Sequence, residues 1–167
     1  MLDTLCDKLK LRVNDYPIIL NEKMHEARLK QSGIKKAGFL QRLIIKPQKD
    51  EVVFWSKNCV LDYIEGDYKN TISPVLHKEV GTHLMFGTTA YLWYKENMLS
   101  KFVFQIIRNA YVARLTLEKL EKKLIKYIGQ ASSSDQISKI WKEGSQEFIL
   151  EFPNTRQHGY IHLILND

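Results

Sequence analysis

Tyr91-Leu92-Trp93-Tyr94-Lys95-Glu96-Asn97-Met98-Leu99-Ser100-Lys101-Phe102-Val103-Phe104-Gln105-Ile106 reads as two strands joined by a tight turn. Aromatic and β-branched residues fill both arms, and Glu96-Asn97 makes a two-residue loop that sets Tyr94 opposite Leu99. Side chains alternate with period two, so an unbroken register puts Tyr91 and Trp93 on the face of Phe102, Phe104 and Ile106. The opposite face is apolar as well, with Phe86, Leu92, Leu99, Val103 and Ile107. Such a hairpin needs cover on both sides, from layers of its own chain or from a partner. Tyr94 and Leu99 flank the tip, where a covering helix reaches least easily, and are candidate protein-contact residues.

Downstream of this hairpin the spacing changes from two to three and four. Ala113, Leu117, Leu120, Leu124 and Ile128 predict an amphipathic helix from about Ala110 to Ile128, with Gly129 at its C-terminal stop. Ser132 to Asp135 reads as a loop or short turn. Gln146 to Phe152 and Tyr160 to Asn166 then form a second hairpin. Placing Phe148, Leu150 and Phe152 with Ile161, Leu163 and Leu165 makes one wholly apolar face. The other face is forced to hold Glu147, Ile149 and Glu151 with Tyr160, His162 and Ile164, and a slip by two residues does not change it. Glu151, Tyr160 and His162 are therefore expected to be near neighbours.

Upstream, the pattern is less regular. Leu2, Leu5, Cys6, Leu9 and Val13 recur at helical spacing, which predicts an opening helix. Asn14-Asp15 with Pro17 reads as a second helix start, its inner face lined by Tyr16, Leu20, Met24 and Ala27 and its end set by Gly33. Phe39 to Lys46 and Glu51 to Ser56 read as two strands separated by Pro47-Gln48-Lys49-Asp50. Ser73-Pro74 predicts a short helical turn running to Val80. The fold class that follows is α+β, one domain over residues 1–167. An antiparallel sheet built from β-hairpins, ββαββ in its C-terminal half, is packed by one long amphipathic helix, with further helices at the N-terminus.

With 167 residues, 44% of them hydrophobic and 26% charged, the chain can bury one sizeable core. Its longest apolar runs, such as Tyr16-Pro17-Ile18-Ile19-Leu20, are far shorter than a membrane span of roughly 18 to 20 residues. The first residues carry Asp3 and Asp7 where a signal peptide would be basic, so a cytoplasmic location is expected. Cys6 and Cys59 stand at no metal-ligand spacing, and neither do His77 and His83; no metal or cofactor is expected. Nucleophile-elbow, phosphate-loop and dinucleotide fingerprints do not occur.

Charge is distributed unevenly. Residues 21–49 hold eight Lys and Arg against two Glu. The chain as a whole has 25 basic and 19 acidic residues, so the remainder carries 17 of each sign and cancels. The excess of +6 is thus local, and an anionic partner would read it. Within it Arg28, Lys30, Lys35, Lys36 and Arg42 are candidate binding residues. They could meet phosphates of a nucleic acid, although Phe39 is the one aromatic that interleaves them, or they could steer an acidic protein. Glu151, Tyr160 and His162 are candidate catalytic residues, since a carboxylate can orient an imidazole and a phenol can donate to a substrate oxygen. Cross-strand Glu, Tyr and His are also ordinary occupants of a half-exposed sheet face. With no catalytic signature, the favoured expectation is a non-catalytic cytoplasmic protein-binding protein, an adaptor or a stoichiometric neutraliser of an immunity type. Nucleic-acid binding through residues 23–49 and an enzyme built on the C-terminal hairpin are the alternatives. No membrane partner is expected, and a second copy of the chain is a further candidate occupant of the apolar hairpin.

Overall fold

The structure is a computed structural model that describes residues 2–9, 11–57, 88–106, 110–154 and 159–165. A single 3₁₀ turn (Leu2–Thr4) leads into α1 (Leu5–Lys8), and the short strands β1 (Arg12–Val13) and β2 (Tyr16–Pro17) pair with each other. α2 (Glu26–Gln31), β3 (Lys35–Lys36), α3 (Phe39–Ile45) and β4 (Glu51–Lys57) follow. β5 (Thr88–Lys95), β6 (Met98–Ile106), α4 (Ala110–Ile128), β7 (Ser133–Ser134), β8 (Ser138–Glu143), β9 (Gln146–Glu151) and β10 (Gly159–Leu165) are the remaining elements among the described residues. β3 to β10 form one eight-stranded antiparallel sheet in the order β3-β4-β5-β6-β10-β9-β8-β7. The chain is α+β, with hairpins on both sides of one long helix and two additional strands, β7 and β8, between that helix and the second hairpin.

One face of this sheet is fully covered. α4 lies over β9 and β10, and its Ala113, Leu117, Leu120 and Leu124 are completely buried. Gly159 on β10 permits the close approach, because a Cβ there would stand 3.0 Å from Leu117 Cδ1 and 3.3 Å from the Ala113 Cβ. Beyond α4 the N-terminal segment continues the layer: Leu2, Leu5, Leu9, Val13, Tyr16 and Ile18 join the same core as Phe54, Leu92, Phe102, Phe104, Phe148 and Leu150. Trp141 of β8 also enters it, and its indole N–H donates to the Gly129 carbonyl at 2.9 Å, tying β8 to the end of α4.

The first hairpin turns at the expected place, with Tyr94 opposite Leu99 and both Glu96 (φ 50°) and Asn97 (φ 65°) left-handed, as a two-residue loop between twisted strands requires. Its faces differ from the unbroken register. A bulge beside Trp93 and Tyr94 leaves Ser100 without an opposite partner, and Trp93 pairs with Lys101, Leu92 with Phe102, Tyr91 with Val103 and Ala90 with Phe104. Leu92 therefore joins Phe102 and Phe104 in the core, while Tyr91 and Trp93 share the other face with Val103. Tyr94 (1% exposed) and Leu99 (4%) are core residues, covered by the N-terminal segment, and offer no partner surface.

Three upstream expectations are corrected. α1 ends at Lys8, and Val13 lies in β1. Asn14-Asp15 is the β1–β2 turn, with Asn14 at φ 51°, because Asx residues favour turns as readily as helix starts; the helix that does form begins only at Glu26 and buries Leu29, leaving Ala27 exposed. Gly33 follows it at φ 76°, a left-handed stop of the expected kind. Phe39 to Lys46 is not a strand but α3. Its residues pass for β-formers, yet the edge of β4 is occupied by Lys35 and Lys36, and the chain leaves the sheet at Gly38. Left-handed Lys46 (φ 43°) and Pro47 end the helix. The expected turn from Ser73 to Val80 lies outside the described residues, with Cys59, His77, His83, Phe86 and Ile107.

Removing side chain from the centre of the α4 stripe leaves a cavity the sheet cannot fill. Leu120→Ala is expected to cost about 2–5 kcal/mol in urea unfolding. Burial, reinforced by the charge of Asp7, pushes the Cys6 thiol up to about 12, so it stays a protonated thiol at neutral pH. Peptide mapping after iodoacetamide at about pH 8 is expected to show Cys6 unmodified in the folded chain and alkylated in urea.

Candidate functional site

The segment that carries the basic excess is anchored by its first half. Tyr16 Oη donates to Glu22 Oε2 at 2.6 Å and lies 3.5 Å from Tyr94 Oη. Arg28 Nη1 donates to Glu22 Oε1 at 3.0 Å, and the guanidinium lies over the Tyr16 ring. Burial first, then the Glu22 hydrogen bond, drives the Tyr16 phenol well above its usual range, so it stays a donor. Arg28 thus braces Glu22 and Tyr16, whose segment meets the β5–β6 turn, while its own side chain stays half-exposed. Lys30, on the same helix, is exposed.

The second half is arranged differently, around α3. At 3.6 residues per turn Phe39, Leu40, Leu43 and Ile44 fall within about 140° of the helix surface, and Ile45 falls on the opposite side. Ile45 packs with Ala37 against Val53 and Trp93 on the sheet face that α4 does not cover. The stripe consequently points away from the protein: Phe39 is 76% exposed, Leu40 69%, Leu43 56% and Ile44 80%. α3 is an amphipathic helix mounted with its wider apolar side outward, and none of its residues is fully buried.

Cations surround it. Lys35 and Lys36 lie on β3, Arg42 on α3, and Lys46 and Lys49 just after it, and all five are exposed. Lys36 has Glu26 at 4.0 Å, whereas Lys35, Arg42, Lys46 and Lys49 have no carboxylate within ion-pair reach among the described residues. Of the nearest acids in sequence, Asp50 lies 3.9 Å from Lys95 and Glu51 accepts the Gln48 amide at 2.8 Å. Two recesses flank the helix. One of ≈ 520 Å³ is lined by Gly38, Phe39, Arg42 and Leu43; the other, ≈ 190 Å³, is lined by Lys36, Arg42, Lys49 and Glu51 together with Val52 and Val53 of β4. Ala37 and Arg42 belong to both, so the apolar stripe and the cationic recess adjoin.

Of the residues named from sequence, the structure brings Lys36 and Arg42 together at one recess, leaves Lys30 and Lys35 exposed on α2 and β3, pairs a half-exposed Arg28 with Glu22 and buries Tyr94 and Leu99. Phe39, Leu40, Leu43 and Ile44 were missed because the segment was read as a strand. The signal that could have found them is the Gly38 and Pro47 boundary around a short apolar run, which allows a helix as well as a strand.

Glu151, Tyr160 and His162 meet as face parity requires. Tyr160 pairs with Glu151, and His162 Nε2 lies 3.1 Å from Glu151 Oε2. With an ionised Glu151 the imidazole donates from Nε2 and keeps Nδ1 as its acceptor. Tyr160 Oη accepts from Gln105 Nε2 at 3.1 Å. None of the three lines either recess beside α3. No group of three His, Cys, Asp or Glu among the described residues is placed to hold a metal ion, and no helix among them is long and apolar enough to cross a membrane.

Burial lowers the His162 pKa from its ordinary 6.5; the Glu151 contact opposes this and the Lys101 charge adds to it. Below pH 6.5 the unfolded chain thus takes up a proton that the folded chain resists, and stability falls with acid through that window. The urea midpoint of the wild type is expected to drop further between about pH 7 and about pH 5 than that of His162→Gln. Compared with protein-family models, curated proteins and solved structures, the chain matches none.

Proposed function

We propose that this chain is a non-catalytic, cytoplasmic binding protein that acts by occupying an acidic protein partner, as an adaptor or a stoichiometric neutraliser, and that it makes the contact through α3 and the cations around it. The observation that carries this reading is the outward stripe of Phe39, Leu40, Leu43 and Ile44. Fully burying a large apolar side chain is worth roughly 1.5–3 kcal/mol. Four such side chains left mostly in water are a reserve that a partner can use and that this fold does not.

The cations add direction. Long-range attraction toward an acidic surface accelerates encounter, and the stripe then supplies the slow dissociation that charge alone does not. A nucleic acid would use the same charges, but its stacking platforms are aromatic, and here three of the four exposed residues on the stripe are aliphatic.

The test is a pull-down with the tagged full chain from lysate of its own cells, at low and high salt, with and without nuclease. A protein retained in stoichiometric amount after nuclease treatment is expected. Leu43→Glu with Ile44→Glu is expected to weaken its retention at least about tenfold, and to change folding stability by about 0.5 kcal/mol or less, because both sites are exposed. Retention of nuclease-sensitive material alone would transfer the role to nucleic acid.

A further inference from the structure

We infer that the partner's contact surface is an apolar groove rimmed by carboxylates, that α3 is the element inserted into it, and that one partner carboxylate enters the recess where Lys36, Arg42 and Lys49 outnumber Glu51. This rests on the binding reading above and specifies the chemistry of the other side.

Shape sets the first requirement. α3 is two turns long, about 10 Å, and stands on the sheet through Ile45, so its stripe is a convex ridge. A ridge of anchors at i, i+1, i+4 and i+5 is complemented by a groove, in the manner of a helix laid into an apolar cleft. Charge sets the second. Residues 35–49 contain five cations and no acid; of the acids that follow, Asp50 lies beside Lys95, and Glu51 shares the recess with Lys36, Arg42 and Lys49, which leaves cations in excess there. Two copies of this chain docked through α3 would set the excess cations of one against those of the other, a repulsion that disfavours the pairing. The occupant is therefore an oppositely charged molecule and not a second copy.

The recess decides between a protein and a flat anionic surface. Its inner wall is Val52 and Val53 of β4, and Val53 also supports Ile45, so the recess lies toward the sheet while the stripe points away from it. A planar surface resting on the stripe lies on the side of α3 away from the recess, whereas an Asp or Glu side chain protruding from a groove wall can turn into it. Interface size agrees: four apolar residues are far fewer than the roughly 20–30 per side of a stable protein contact. The stripe, the recess and β3 have to be engaged together.

The experiment places the photo-crosslinker p-benzoylphenylalanine at Leu40 of the full chain, and separately at Lys126 on α4 as a control, in lysate of the native cells, and identifies adducts by mass. Expected is one protein adduct at Leu40 and none at Lys126, joined to an apolar peptide bearing Asp or Glu. Its yield should fall about tenfold in Lys36→Glu/Arg42→Glu and less in Lys36→Gln/Arg42→Gln, each variant shown folded by its thermal transition. An adduct with a second copy, a lipid or a nucleic acid overturns the inference. So does an adduct whose yield ignores both charge variants, a peptide without acidic residues, an adduct at both positions, or no adduct at Leu40. If the pull-down retains no protein, the binding reading itself fails; if it retains one that Leu40 does not label, only this placement of the contact fails.

Discussion

The bulge at Ser100 decides which side of the central hairpin is inside, and the layer that covers the sheet depends on that choice. Strand side chains alternate with period two, so one unpaired residue exchanges the faces of everything beyond it on its strand. With Ser100 set aside, its hydroxyl donating to the Trp93 carbonyl at 3.2 Å, Leu92, Phe102 and Phe104 point together into the core. That gives β5 and β6 a continuous apolar surface in line with Phe54 on one side and Ile161, Leu150 and Phe148 on the other. α4 and the N-terminal segment can then lie over one sheet as a single layer. Without the bulge, Leu92 would turn away from Phe102, and the surface that receives the N-terminal segment would be broken.

The same choice determines what the other face offers. Trp93, Val103 and Val53 make a small second core, and Ile45 of α3 packs on it. α3 is held by one end of its circumference and by the connections at Ala37 and Lys46, where the Ala37 amide donates to the Val53 carbonyl at 2.7 Å. Lys57 and Lys101, by contrast, lie over the rings of Trp55 and Trp93, so cations near the sheet are partly absorbed by aromatic faces. Those around α3 are not, which keeps the charge available at the apolar stripe.

Legibility in the sequence followed the length over which a pattern repeats. α4 offered five apolar positions over nineteen residues and was readable to its ends. The second hairpin was readable because parity survives a slip by two, and its register places Tyr160 opposite Glu151 and Ile161 opposite Leu150. The first hairpin gave its turn but not its faces, since a bulge at a serine leaves no mark in a run of alternating residues. β8 was missed because Ser138 to Glu143 holds too few apolar residues to show a period. α3 was misread because seven residues are too few to separate a period of 3.6 from one of 2, and because β-propensity reflects surroundings more than backbone. The carboxylate, phenol and imidazole of the C-terminal hairpin were derivable; the outward stripe was not, because it depends on where a helix lands.

That stripe also marks where local preference and tertiary structure part company. In an ordinary surface helix the apolar side is spent on the core, and here the wider apolar side is turned to water beside cations that outnumber the carboxylates near them. Inverting the helix would bury Phe39 and Leu43, but it would carry Arg42 and its neighbours away from Lys36 and Lys49 and dissolve the recess they share. The arrangement therefore trades internal burial for a surface on which apolar area and positive charge coincide. Consistency between levels is what makes a chain fold to one state, and a local departure from it is expected where a surface serves something other than folding.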